Sequence, residues 1–156
     1  MNIRYATMAD LDDIALVEAE CFPVLEAATK EEFEQRIKYY GNHFWLMFDN
    51  DKLIAFVDGF VTDEADLTDE MYENASMHNE NGAWQMIFGV NTLPEYRRCG
   101  YAKELIKKAI LDAREQNRRG LVLTCKESLV PYYSKFGFID EGITDKSTHG
   151  NVLWHQ

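Results

Sequence analysis

Apolar positions recur at spacings of three and four through Leu11, Ile14, Val17 and Cys21, which predicts an amphipathic helix that Thr7 and Asp10 open and Pro23 interrupts. A second helical pattern follows. Thr29 and Glu32 have capping-box spacing ahead of Phe33, Ile37 and Tyr40, and Gly41 closes it, leaving a short loop over 22–28 between the two helices. Alternation replaces the helical period at Ile3 and Tyr5, and again over 43–48 and 53–61, where turn residues at 49–52 make a hairpin of two runs. Residues 83–91 read as a central strand, with Trp84, Met86, Phe88 and Val90 on one face and Gln85, Ile87 and Gly89 on the other. A glycine in such a strand predicts a bulge or a close backbone approach. Ala102, Leu105, Ile106, Ala109, Ile110 and Ala113 mark a long helix, and Gly120 leads into a strand over 121–125. Strand, loop, helix and strand in that order build a parallel pair, so the expected class is α/β (α+β). A short helix from about residue 128, stopping at Gly137, and strands over 138–141 and 152–155 complete a pattern with no repeat or linker, read as a single domain over 1–156.

Composition narrows the function classes. With 46% apolar and 28% charged residues, burial offsets chain entropy and a disordered chain is excluded. A net charge of −11 opposes a phosphate backbone, so no nucleic-acid partner is expected. Cys21, Cys99 and Cys125 form no CxxC pair and are odd in number, which fits reduced thiols and a cytoplasmic setting. No apolar run approaches the ~18 residues that span a bilayer, and no membrane partner is expected. His43, His149 and His155 show no ligand spacing, and no metal is expected. Residues 62–81 hold seven acids and no Lys or Arg, a pattern of a solvated excursion with one short helix.

One stretch reverses the acidic balance. From Arg97 to Arg119 there are eight bases against three acids. At its head, Arg97-Arg98-Cys99-Gly100-Tyr101-Ala102-Lys103 is short, basic and glycine-containing at a helix start, where unpaired N–H groups and the positive helix end attract anions. Such a loop also occurs at an ordinary basic helix face. Arg97-x-x-Gly100-x-Ala102, together with the strand ending at Val90, resembles the acetyl-CoA pyrophosphate signature of the GNAT superfamily of N-acetyltransferases. Leu129-Val130-Pro131-Tyr132-Tyr133-Ser134-Lys135-Phe136-Gly137-Phe138 is similar to a segment of the serotonin, or arylalkylamine, N-acetyltransferase subgroup, as are residues 51–59 and 67–70.

The resemblance implies a GNAT-like fold: a mixed, mostly antiparallel sheet with a parallel pair at a V-shaped splay and helices on both faces. It implies acetyl-CoA as co-substrate, held by the backbone of Phe88, Gly89 and Val90 and by the loop from Arg97 through Lys103. It implies Tyr133 as the acid that protonates the CoA thiolate, and an amine pocket involving Phe22, Pro23 and Glu26. The expected partner is a small primary amine, bound by a monomer or homodimer. A silent acyl-CoA sensor and a protein or peptide N-acetyltransferase are the competing readings.

Acyl transfer to an amine needs a neutral nucleophile, and an amine of pKa near 10.4 is only about one part in 10³ neutral at pH 7. The subgroup carries two histidines on the central strand to remove that proton, and here Trp84 and Met86 stand in their place, either walling an aromatic pocket or packing as core. Replacement bases come from His78 in the excursion, Glu26 in the inter-helix loop, or Asp58 among Ile54, Phe56 and Phe60. Each also has an inert reading: a solvated histidine, a surface charge, a strand-end carboxylate. Tyr133 likewise has one, packing against Phe136 and Phe138.

Overall fold

The computed structural model describes residues 1–144 and the backbone of 154–155. Strand β1 (Asn2–Tyr5) lies beside β2 (Phe44–Asp49), which forms the expected hairpin with β3 (Lys52–Asp58) through a turn where Asn50 takes a φ of 55°. Between β1 and β2 the chain makes α1 (Leu11–Cys21) and α2 (Lys30–Tyr40). The capping box opens α2 as its spacing predicts: Glu32 N–H donates to Thr29 Oγ1 at 3.2 Å and Thr29 N–H to Glu32 Oε1 at 3.0 Å.

Two expected strands each break in two, at the same place in space. The run over 53–61 divides into β3 and β4 (Val61–Thr62), because Gly59 lies so close to the crossing chain that an added Cβ would stand 1.8 Å from the Met86 carbonyl oxygen. The central strand divides at Phe88 into β5 (Trp84–Ile87) and β6 (Gly89–Thr92). The extra residue slips the alternation by one. Trp84, Met86 and Phe88 pack toward α1 and α2 as predicted, but Val90 packs with Ile87 on the opposite face, correcting its expected place beside Met86.

The sheet accordingly comes in two parts, β1-β2-β3-β6 antiparallel and β4-β5-β7, where β7 (Gly120–Leu123) runs parallel to β5. Helix α4 (Tyr101–Glu115) connects β6 to β7 and buries Leu105, Ile106 and Ala109 on the face opposite α1 and α2. Asp112 fixes that helix to the sheet, accepting from Trp45 Nε1 at 2.8 Å, Tyr5 Oη at 2.7 Å and Lys108 Nζ at 2.9 Å.

The acidic stretch over 62–81 is less solvated than its charge predicts. Its helix α3 (Asp69–Glu73) turns Met71 inward, and Leu67 and Ala75 are buried with it. Past α5 (Val130–Ser134), residues 138–141 are not a strand: Gly137 has a φ of 94°, Gly142 of 96°, and Gly142 N–H donates to Asp140 Oδ1 at 2.8 Å in a local turn. A two-residue β8 (Ile143–Thr144) pairs with β9 (Trp154–His155); residues 152 and 153 of the expected last strand lie outside the described residues. Among the described residues no helix is long and apolar enough to cross a membrane.

Candidate active site

Strands β5 and β7 run in register from Trp84 opposite Gly120 to Ile87 opposite Leu123. Beyond that point β6 turns away to pair with β3, from Gly89 opposite Asp58 to Thr92 opposite Ala55. The parting leaves a cleft of about 400 Å³ between Phe88–Val90 on one side and Leu123–Cys125 on the other. One edge of β6 is spent on β3, and the edge facing the cleft has no strand partner among the described residues. A ligand laid along that edge would bond its backbone, except at the Thr92 carbonyl, which already accepts from Arg97 Nε at 3.0 Å and Cys21 Sγ at 3.3 Å.

A set of buried polar groups backs this cleft. Glu18 on α1 is 6% exposed; its Oε2 accepts the Ala28 N–H at 2.8 Å, and its Oε1 has no hydrogen-bond partner among the described residues. On β3, wholly buried Asp58 accepts from Arg36 at 3.1 Å through Oδ2, while Oδ1 has no hydrogen-bond partner among the described residues. Arg36 also donates to the Tyr72 carbonyl at 3.0 Å. These groups meet at Gly89, where an added Cβ would lie 3.0 Å from Asn91 Nδ2, 3.1 Å from Asp58 Oδ1 and 3.7 Å from Glu18 Oε1. Burial pushes the Glu18 carboxyl up to about 7, with a further push from Asp58 and against the pull of the Ala28 N–H, the Arg36 charge and the Asn91 side chain. Burial pushes Asp58 up to about 6, opposed by Arg36.

On the other side of the cleft stands Tyr133 of α5, packed against the rings of Tyr132 at 5.1 Å and Phe138 at 6.0 Å. Burial raises its hydroxyl pKa well above the ordinary tyrosine value. Tyr133 also borders a second groove, of about 570 Å³, along the outer edge of β7.

The C-terminal end of β6 runs into the basic loop. Arg97 Nε anchors it to the Thr92 carbonyl at 3.0 Å, and Arg98 and Gly100 take φ values of 64° and 82° before α4 begins. An added Cβ at Gly100 would meet nothing within 4 Å, so the glycine serves the left-handed turn rather than a close approach. Arg97, Arg98 and Cys99 are exposed, and among the described residues no side chain caps the start of α4. Four residues of β6 span about 13 Å at ~3.3 Å each, and beyond them the chain turns over 94–100 into a helix N-terminus preceded by Arg97 and Arg98. That arrangement fits a long ligand with an anionic diphosphate at one end.

Residues 11–138 match the family model described as the acetyltransferase (GNAT) family. The chain belongs to that family. A 93-residue stretch is 30% identical to serotonin N-acetyltransferase of Mesocricetus auratus, covering 58% of this chain and 43% of that protein, so the match spans under half of that relative's length. The fold is shared with Ard1 from Thermoplasma volcanium, at a TM-score of 0.77 and 14% identity over 99% of this chain and 93% of that one. It is shared also with the GphF GNAT-like decarboxylase in complex with isobutyryl-CoA, at 0.74 and 21% over 89% and 73%.

Within this GNAT fold the residues singled out in the sequence separate. Phe22, Glu26, Phe88, Gly89, Val90 and Tyr133 all line the cleft. Glu26 is tied to Lys126 at 2.9 Å through Oε1, with Oε2 buried and without a hydrogen-bond partner among the described residues. Pro23 is exposed and is not among the lining residues. Met86 is wholly buried core, and Trp84 borders the outer groove with the Arg119 guanidinium 5.7 Å from its ring centre. His78 is elsewhere as well. Its Nδ1 accepts the Val61 N–H at 3.0 Å, so a neutral ring carries its proton on Nε2 and donates to Glu80 at 2.9 Å. Burial lowers its pKa, and the rings of Tyr40, Phe60 and His43 pack around it in tilted contacts. His43, His78 and Glu80 offer ligand atoms within 4.8 Å of one another, a cluster that sequence spacing did not indicate, with His78 Nδ1 occupied by the Val61 N–H.

Glu18 and Arg36 were the residues that sequence reasoning passed over. Both occupy positions of the apolar faces themselves: Ile14, Val17, Glu18, Cys21 in one helix and Phe33, Arg36, Ile37, Tyr40 in the other. A charge at a core position of each of two adjacent helices was the available signal.

Proposed function

We propose that this GNAT-family chain transfers an acetyl group from acetyl-CoA to a primary amine held in the cleft between β6 and β7. The observation that carries this reading is the buried Glu18 carboxylate beside Gly89, at the point where the strands part. The co-substrate supplies the activated acyl thioester. The free edge of β6 at Gly89 and Val90 holds its extended arm, and Arg98 through Lys103 hold its diphosphate at the start of α4.

Glu18 accepts the proton of the incoming ammonium. A carboxyl pushed up to about 7 is ionised enough near neutrality to act, yet basic enough to keep the proton it takes. The Ala28 N–H holds its Oε2 in place, and Oε1 lies near Gly89, within 3.7 Å of where a Cβ would stand. This replaces the proton path that Trp84 and Met86 lack the groups to provide. Tyr133, across the cleft, donates a proton to the departing thiolate. A volume of about 400 Å³ falls in the range of small-molecule sites, which supports a small amine over a polypeptide segment.

The test is thiol release from acetyl-CoA across arylalkylamines, aliphatic amines, amino acids and lysine peptides. Release with small amines, and acetylamine product by mass, is the expected result. Release only with peptides would replace the small-amine reading; binding of acetyl-CoA with no release on any amine would replace it with a sensor.

A further inference from the structure

Two buried carboxylates, from different elements, approach Gly89, and one guanidinium is shared unequally between them. Asp58 Oδ1 lies 3.1 Å and Glu18 Oε1 3.7 Å from the one point where a Gly89 Cβ would stand, with Asn91 Nδ2 3.0 Å from it. Arg36 pairs with Asp58 Oδ2 at 3.1 Å and donates also to the Tyr72 carbonyl at 3.0 Å, so among the described residues the ion pair goes to Asp58 and not to Glu18. Two like charges this close in a buried setting resist ionising together, and the hold of one on its proton depends on the charge of the other. The groups facing Glu18 are Asp58 from β3, Arg36 from α2, the Asn91 amide from β6, the Ala28 N–H from the inter-helix loop and the Cys21 thiol from its own helix, with Tyr40 and Glu32 acting behind Arg36. Asp10, at the other end of α1, is paired with Arg4. Burial raises both carboxyls; Asp58 adds to the rise at Glu18, and the Ala28 N–H, Arg36 and Asn91 oppose it.

We infer that Asp58 and Asn91 are positioning residues for the acyl transfer, acting in opposite senses on how tightly Glu18 holds the proton it takes from the amine. The inference rests on Glu18 as the base of the proposed reaction. Asp58 supplies a negative charge that makes Glu18 the stronger base, and Arg36, bound through Oδ2, keeps Asp58 ionised. Asn91 presents an amide N–H, and a donor beside a carboxylate favours its ionised form, so Asn91 limits the rise. Neither Asp58 nor Asn91 is among the residues that line the cleft, so neither meets the amine itself. Gly89 leaves open the point at which the three side chains converge, which joins the break in the central strand to the strength of the base.

The experiment measures kcat against pH with acetyl-CoA and 2-phenylethylamine, and the titration of the Glu18 carboxyl by carbon NMR, in the wild type, Asp58→Asn and Asn91→Leu. Asp58→Asn removes a like charge and leaves the Arg36 charge uncompensated near Glu18, so the rising limb of kcat is expected about one pH unit lower. Asn91→Leu removes a donor at nearly constant volume, and its limb is expected about half a pH unit higher. The Glu18 titration is expected to move with the limb in each variant. A packing defect gives no reason for the two limbs to move in opposite directions. Asn91→Leu keeps the Arg36–Asp58 pair, and it carries the test if Asp58→Asn does not fold. Folded variants whose limbs and Glu18 titrations both stay at the wild-type pH overturn the inference. Opposite shifts of the Glu18 titration with no movement of the kcat limb uphold the control of Glu18 by its neighbours and overturn its role as the base.

Discussion

Arg36 and Asp58 form an ion pair at 3.1 Å in which both side chains are almost wholly out of water, 3% and 0% exposed. The pair lies beneath Gly89, where β6 leaves β5, and it keeps one charge of each sign compensated under an open cleft. Without the guanidinium, Asp58 loses its one charged partner among the described residues. Arg36→Met is therefore expected to destabilise the chain by about 3–5 kcal/mol in urea unfolding, and adding Asp58→Asn to recover much of that loss. A single variant as stable as the wild type would contradict the pairing.

Glu18 has the opposite thermodynamic sign from an ordinary salt-bridged carboxylate. Its folded pKa, about 7, lies above its usual value of 4.5, so between those pH values the folded chain binds more protons than the unfolded one. Its contribution to stability is full below about pH 4.5 and declines as pH rises through about 7. Denaturant unfolding of the wild type and Glu18→Gln across that window is expected to give a difference that moves in favour of the variant as pH rises. A flat difference would mean that Glu18 is not desolvated.

Asp112 predicts the reverse. Burial alone raises its pKa, but donation from Trp45, Tyr5 and Lys108 outweighs that and holds it below the ordinary carboxylate value. Its stabilisation is present above about pH 4 and is lost as pH falls through its folded pKa. Asp112→Ala leaves the Trp45 N–H buried without an acceptor and is expected to cost about 1–3 kcal/mol at neutral pH, read by urea unfolding.

Gly89 is where a side chain is least welcome. A Cβ there stands 3.0 Å from Asn91 Nδ2 and 3.1 Å from Asp58 Oδ1, so Gly89→Ala forces both groups outward. Stability is expected to fall by about 1–3 kcal/mol, with a larger proportional loss of turnover than of acetyl-CoA binding. Unaltered kinetics in a folded Gly89→Ala variant would detach the site from Gly89.

Most of the scaffold was legible in the sequence because helices and strands announce themselves by period. The face of α4, the capping box of α2 and the parallel β5–β7 pair all follow from spacing. The basic loop was legible too, since Gly100 precedes a helix and Arg97 and Arg98 flank it. The break at Phe88 was foreshadowed by Gly89, but its consequence, the turning of Val90 to the other face, depends on how β6 pairs with β3. The buried charges were the least legible. Asp58 was visible as a carboxylate among apolar neighbours, yet nothing in linear order says that Arg36, from a different helix, reaches it. Glu18 was hidden because an acid on a helix reads as solvated until the helix is docked, and His78 looked available until Val61 and Glu80 were found to hold both ring nitrogens.

Tyr133 is the other half of the proposed proton traffic. Tyr133→Phe removes the hydroxyl while keeping the ring that packs on Tyr132 and Phe138. Turnover is expected to fall by about 10²-fold or more with acetyl-CoA affinity nearly unchanged, as measured by steady-state kinetics and direct titration. Equal turnover across pH would leave the tyrosine as packing.

The account turns on Glu18 as the group that makes the amine a nucleophile, and the pH dependence of kcat in the wild type and Glu18→Gln tests it most directly. The wild type is expected to gain activity with rising pH through a limb near the Glu18 pKa of about 7, and Glu18→Gln to lose that limb with a kcat lower by about 10²–10⁴-fold. A folded Glu18→Gln enzyme with wild-type kcat and the same limb would contradict it.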